Sequence, residues 1–222
     1  MSSDEVFDFT LDHYRECLSL ALKKSYAFFP LSLYEDAIKV DRSILNRHDV
    51  DTQLDIALEM AVIENSLGIS STYFLRFHSH AYSLMNIKHA NIAKQIASLG
   101  HEIGLHYEPD FYSMIGSEFN KCVDSEILLL SEICNTTIRS AVPHEPRRTK
   151  RWKLDSDIRK RLSITVEAYD KCLIDNFKYI SDSSCNWREG SMFYHIQNES
   201  YNKLYILTHP YWWFKNSPIE NY

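Results

Sequence analysis

From about residue 43 onward, short apolar runs of strand length alternate with longer runs of helical periodicity. The pattern predicts strands over 43–49, 71–77, 102–107 and 139–144, with helices over 53–67, 86–99 and 111–134 between them. Parallel neighbours need crossovers of this length, and such crossovers are right-handed. A weaker second half offers further strands at 178–181, 193–196 and 204–208. The expected fold class is therefore α/β, with a mostly parallel sheet curled into a distorted or incomplete (β/α)7-type barrel. Ahead of it, Tyr14, Cys17, Leu18 and Ala21 carry helical periodicity, so residues 1–40 read as an extra N-terminal helical segment packed on a core spanning 43–213.

Composition narrows this picture. A chain of 222 residues, 45% hydrophobic, with five glycines and no repeat or linker, predicts a single domain over 1–222. Its net charge of −6 comes without a basic stripe, which argues against nucleic acid as a partner. The one compact basic run, Arg147-Arg148-Thr149-Lys150-Arg151, fits either a solvated loop or a contact with a phosphate or nucleotide. The start of the chain lacks the basic and apolar segments of a signal peptide, and no apolar run reaches ~18 residues. A cytoplasmic protein without stable membrane insertion is expected. Five widely spaced cysteines without a CxxC pair argue against a disulfide framework and a thiolate zinc site.

The chemistry concentrates at strand ends. Asp49 and Asp51, two residues apart, share one side of an extended strand at its C-terminal end, where α/β folds place their sites. The bland alternative is a helix cap beside a solvated neighbour. In Gly100-His101-Glu102-Ile103-Gly104-Leu105-His106, alternation puts Glu102, Gly104 and His106 on one side, with His106 emerging at the end and His101 left as structural.

Taken in order, His48-Asp49-Val50-Asp51, Ser71-Thr72-Tyr73-Phe74 and the Gly100–His106 segment resemble the polysaccharide deacetylase family, the NodB homology domain of carbohydrate esterases. Ile180-Ser181-Asp182-Ser183, Trp187-Arg188 and Leu207-Thr208-His209-Pro210 resemble its later motifs, so the likeness runs from about 43 to 213. Within that family the chain is most similar to members associated with surface-polysaccharide and lipopolysaccharide biosynthesis. The Asp-Val-Asp form also resembles sugar deformylases. The resemblance implies one divalent metal ion, zinc first among the candidates, and hydrolysis of an N-acetyl or N-formyl group from a sugar that is free or carried on a nucleotide or lipid. It implies Asp49 as general base, Asp51 and His106 as metal ligands, and His209 as general acid.

The chain also departs from the family pattern. The second histidine ligand is expected four residues after the first, where Asp110 stands; His144, Asp110 and Glu108 are rival third ligands. The arginine that orients the base is open between Arg147, Arg148 and Arg188, with Asp182 as its supporting acid. Trp187, Arg147, Tyr211 and Trp212 are candidate substrate contacts, although Trp187 could simply pin its loop and the aromatics after His209 could simply be rim packing. Two readings follow: a metal-dependent sugar N-deacylase, or a non-catalytic carbohydrate-binding or regulatory protein that keeps the barrel. Phosphate-ester hydrolysis is weaker, for want of a phosphate-cradling glycine loop.

Overall fold

A computed structural model describes residues 9–116, 118–145 and 153–216. Its core is a sheet of parallel strands in the order β6-β5-β4-β3-β2-β8-β7, comprising β2 (Ser43–Val50), β3 (Thr72–Leu75), β4 (Glu102–Tyr107), β5 (Ser140–Pro143), β6 (Val166–Glu167), β7 (Lys178–Ser181) and β8 (Lys203–Thr208). Strand β2 lies at the centre and is buried along its whole length, as expected of a parallel strand covered on both faces.

Alternation along β2 sorts its side chains. Ile44 and Val50 join outer clusters under the helices, while Leu45 joins an inner cluster with Phe74, Val142, Val166, Phe177 and Tyr205. In a flat sheet β6 and β8 would stand five strand spacings apart, ~24 Å. Here Tyr205 of β8 donates to the carbonyl of Ala168, just past β6, at 2.9 Å, so the sheet curls into a barrel that is not closed by pairing between β6 and β7. The expected distorted, incomplete barrel is what the chain forms.

The outer layer is built from α3 (Leu54–Ser66), α4 (Ile87–Ser98), α6 (Phe119–Cys134) and α7 (Ser156–Leu162), with α1 (Leu11–Lys23) and α9 (Met192–Gln197) against the other flank, while the short α8 (Lys171–Asn176) adds Leu173 to the inner cluster. Three expectations are corrected. The stretch 193–196 is helix α9: Ser191 caps it by accepting from the Tyr194 amide at 3.1 Å, and Met192, His195 and Ile196 form its buried face. Its aromatic content had suggested a strand. The expected helix 111–134 is interrupted, giving α5 (Pro109–Met114) and α6, with Gly116 at φ +67 in the break. The N-terminal segment is more than helix. After α1 comes β1 (Ala27–Phe29), which pairs with the first half of β2, and then α2 (Tyr34–Lys39).

That segment stoppers the barrel's lower end. Leu31 and Ala37 belong to the inner cluster, the Leu31 amide donates to Thr72 Oγ1 at 2.8 Å, and the Ser32 amide donates to Glu102 Oε2 at 3.1 Å. Higher in the barrel, Gly104 leaves room for its neighbours, because a Cβ there would overlap the Phe74 ring.

Candidate active site

The C-terminal ends of β2, β4, β5 and β8 bring Asp49, Asp51, His106, His144 and His209 to one mouth. The deepest polar group below them is Arg47, fully buried. Its Nε and Nη2 donate to Asp49 Oδ1 and Oδ2 at 2.8 and 2.7 Å, a two-pronged grip. The remaining donors reach Tyr205 Oη at 2.7 Å and Tyr169 Oη at 3.2 Å, and the guanidinium lies 5.0 to 5.7 Å from the ring centres of Tyr169, Phe74 and Tyr205. Burial alone would raise the Asp49 carboxyl, but the Arg47 charge, with His106 and His209 beyond it, outweighs burial and holds it below the usual carboxylate range.

On the opposite wall, His106 Nδ1 donates to the Val142 carbonyl at 3.1 Å, which leaves Nε2 facing Asp51 Oδ1 at 3.3 Å and Asp49 Oδ2 at 3.9 Å. His144 is arranged alike. Its Nδ1 donates to Glu108 Oε1 at 2.7 Å and its Nε2 stands 3.7 Å from Asp51 Oδ1. The ring roles follow from these hydrogen bonds. Arg76, at the end of β3, bridges the group, with Nη2 to Glu108 Oε2 at 2.5 Å and Nη1 to Asp51 Oδ1 at 3.4 Å. Glu108 resists burial and is held down to about 2 by His144 and Arg76. Asp51 is likewise depressed, against burial, by the three histidines.

His209 follows β8. Its Nδ1 lies 2.6 Å from Asp182 Oδ1, its amide donates to the same carboxylate, and Trp213 Nε1 donates to Oδ2 at 3.0 Å. Burial would lower this imidazole, yet Asp182, with Asp49 and Asp51, raises it to about 9. At neutral pH it is an imidazolium whose Nδ1 is committed and whose Nε2–H is available to donate.

Several candidates land elsewhere. The arginine that holds Asp49 is Arg47, not Arg188, which is exposed on the loop after β7; Arg147 and Arg148 lie outside the described residues. Asp182 supports His209 rather than an arginine. Asp110 stands exposed in the first turn of α5, while His144 occupies the place beside Asp51. Trp187 stacks on Phe9, ring centres 6.3 Å apart and planes within 4°, so it pins its loop to the α1 side. Tyr211 and Trp212 meet edge-on at 4.5 Å in the short turn Pro210–Trp212 beside His209. Sequence reasoning passed over Arg47 and Arg76. The signal for Arg47 was the same alternation that paired Asp49 with Asp51, extended two residues back.

No protein-family model and no curated protein matches the chain. Among solved structures it superposes on BA3943, a CE4 family pseudoenzyme from Bacillus anthracis, with a TM-score of 0.51 at 13% identity over 82% of this chain and 60% of that one. The fold is that of CE4 family proteins. A BA3943 mutant with restored enzymatic activity gives the same TM-score at 11% identity, covering 77% of this chain and 60% of that one. The chain thus spans about three fifths of the length of both CE4 structures. The Streptococcus pyogenes deacetylase PplD, in complex with acetate, superposes with a TM-score of 0.49 at 12% identity over 75% of this chain and 76% of that one. A shared fold does not itself carry an activity.

Among the described residues no group of three or more His, Cys, Asp or Glu is placed so that it could hold a metal ion as the side chains stand. The donor chemistry nonetheless suits a divalent ion: one carboxylate oxygen and two imidazole Nε2 atoms face one another, each ring oriented by an outer acceptor. Among the described residues no helix is long and apolar enough to cross a membrane.

Proposed function

We propose that the protein is a metal-dependent hydrolase that removes an N-acetyl or N-formyl group from an aminosugar, free or carried on a nucleotide or lipid, in cytoplasmic assembly of surface polysaccharide such as lipopolysaccharide. The observation that carries this reading is the opposition across one mouth of a gripped carboxylate, Asp49, and a carboxylate-backed imidazolium, His209.

Asp51, His106 and His144 would hold the ion, with zinc the leading candidate, and Glu108 and Val142 would orient the two rings. When bound, such an ion supplies polarisation of the amide carbonyl and acidification of water. Asp49 accepts the proton of the attacking water as its oxygen bonds to the acyl carbon, and Arg47 keeps that carboxylate ionised and aimed. As the carbon–nitrogen bond breaks, His209 Nε2 delivers its proton to the departing amine nitrogen, and Asp182 stabilises the charge it carries beforehand. Acid leaves and amine leaves, with protons balanced between the two side chains.

A second reading, a carbohydrate-binding or regulatory barrel without turnover, is favoured by Arg76. Its guanidinium stands 3.4 Å from Asp51 Oδ1, next to where a cation would sit. That BA3943, a CE4 family pseudoenzyme, shares the fold supports this reading. Elemental analysis of protein purified without chelator, followed by release assays on N-formyl and N-acetyl sugars, separates the two. About one equivalent of divalent metal with acyl release supports the hydrolase; neither, even after reconstitution with zinc, supports the binding protein.

A further inference from the structure

Asp49 and His209 each follow, by one residue, a member of the same buried hydrogen-bonded chain on the outer face of the sheet. His48 precedes Asp49, and Thr208 precedes His209. The two are cross-strand partners in the β2–β8 register and form the last rung of that pairing, beyond which the chain turns away through Pro210–Trp212. His209 keeps an extended backbone, φ −115 and ψ 115, so the alternation of faces runs through it. Whatever fixes His48 and Thr208 on the outer face therefore sets the backbone from which Asp49 and His209 reach into the mouth.

His48 is held from three sides. Its Nδ1 lies 2.6 Å from Thr208 Oγ1 and its Nε2 lies 2.8 Å from Glu64 Oε1. Its ring stacks on Tyr73, its partner in β3, with centres 4.3 Å apart and planes 28° from parallel, and Tyr73 Oη donates to the second Glu64 oxygen at 2.7 Å. His48, Thr208 and Glu64 are all closed to solvent. One imidazole thus spans β3, β2 and β8 and is tied to α3. Apolar side chains of the same volume would hold α3 on the sheet as well. What a partnered polar chain adds is a single geometry. At the opposite end of the same strand pair, on its first rung, Ser43 Oγ donates to the Ala37 carbonyl at 2.7 Å, a buried bond that reaches only the N-terminal stopper.

We propose that the contact between His48 and Thr208 is a clamp that fixes Asp49 and His209 relative to each other, which makes His48 and Thr208 positioning residues for the two proton transfers. Calling Asp49 the base and His209 the acid rests on the N-deacylase reading, whereas the clamp rests on the register and the side-chain contacts. Without it the backbone rung remains but can shift by a fraction of an ångström, which matters more to proton transfer than to binding.

The test is steady-state acyl release by the full-length, zinc-loaded protein from N-acetylglucosamine and N-formylglucosamine. Thr208→Val keeps the side-chain shape and removes the hydroxyl; it is expected to lower kcat ~10–100-fold with KM and bound zinc within about twofold of the parent, and Thr208→Ser to bring kcat back to within about threefold. Ser43→Ala should lower the thermal midpoint and leave kcat in place. Should Thr208→Val not fold, His48→Gln, whose amide keeps the reach to Glu64 and offers Thr208 no partner, carries the same expectation. A kcat equal to the parent's, or a fall no larger than that of Ser43→Ala, overturns the clamp. A second readout needs no turnover: the His209 imidazole signals in nuclear magnetic resonance spectra, identified by their loss in His209→Gln, should move in Thr208→Val and stay in Ser43→Ala. If the parent releases no acyl group, the deacylase reading fails; moved His209 signals then uphold the clamp, and unmoved signals overturn it too.

Discussion

Two buried carboxylates flank β2 and are treated in opposite ways. Glu64, reaching from α3 to the outer face, accepts from Asn46 at 2.7 Å, His48 at 2.8 Å, Tyr73 at 2.7 Å and the Tyr14 hydroxyl, and none of it meets solvent. Asp49, on the inner face, is held along one edge by a single guanidinium and opens on its other side toward His106 and the mouth. Both are ionised against the cost of burial. The difference lies in what remains unspent. Four donors exhaust Glu64 and make it a structural node, whereas the Arg47 grip leaves Asp49 lone pairs with which to take a proton.

The largest expected effect is on the inner face. Asp49→Asn should cut acyl release by ~10²–10⁴-fold with little change in bound metal, measured by single-turnover hydrolysis and elemental analysis. Metal loss equal to that of Asp51→Asn would move Asp49 among the ligands and erase the contrast. On the outer face, Glu64→Leu should leave His48 and its polar neighbours without their shared acceptor and cost ~3–5 kcal/mol in urea unfolding. A cost below about 1 kcal/mol would mean that the cluster is not the node its geometry suggests.

Smaller effects sharpen the picture. Glu108→Gln should weaken divalent-metal affinity by ~10–100-fold through His144, read by competition with a chromophoric chelator, whereas Asp110→Asn should change it by less than about twofold. An Asp110 variant that loses metal would restore the spacing the family pattern implied. The smallest contrast is in pH. His209, raised from 6.5 to about 9, contributes stability that is complete below 6.5 and fades as pH rises through about 9. Glu64, lowered from 4.5 to about 2, contributes stability present above 4.5 and lost as pH falls through about 2. Thermal midpoints of Glu64→Gln should therefore converge on the parent's in strong acid, and those of His209→Gln above pH ~9.

Much of the sheet was legible because Ile44-Leu45 in β2 and the short apolar stretches of β3, β4, β5 and β8 stand between polar and turn residues. Strand β6 is only Val166–Glu167 and carries too little pattern to register. Helix α9 was misread because Phe193 and Tyr194, exposed on its surface, favour strands locally while Ser191 and the buried Met192, His195 and Ile196 decide for a helix. In the site, i,i+2 alternation is a local rule and it located Asp49, Asp51 and His106. Which arginine meets Asp49, or which carboxylate backs His209, depends on how distant strands are brought together. The exception is Arg47, whose partner lies two residues away and was within reach of the same rule.

The placement of β8 beside β2 has a consequence for how the molecule comes to exist. Arg47 is made early in synthesis, and the hydroxyl that accepts its Nη1 proton, Tyr205, lies 158 residues later. Until the last strand slots in, β2 has an unpaired edge and a cation with an unfinished cage. Closure of that cage is a long-range contact, so the pairing that completes the floor of the site also covers the open edge of β2.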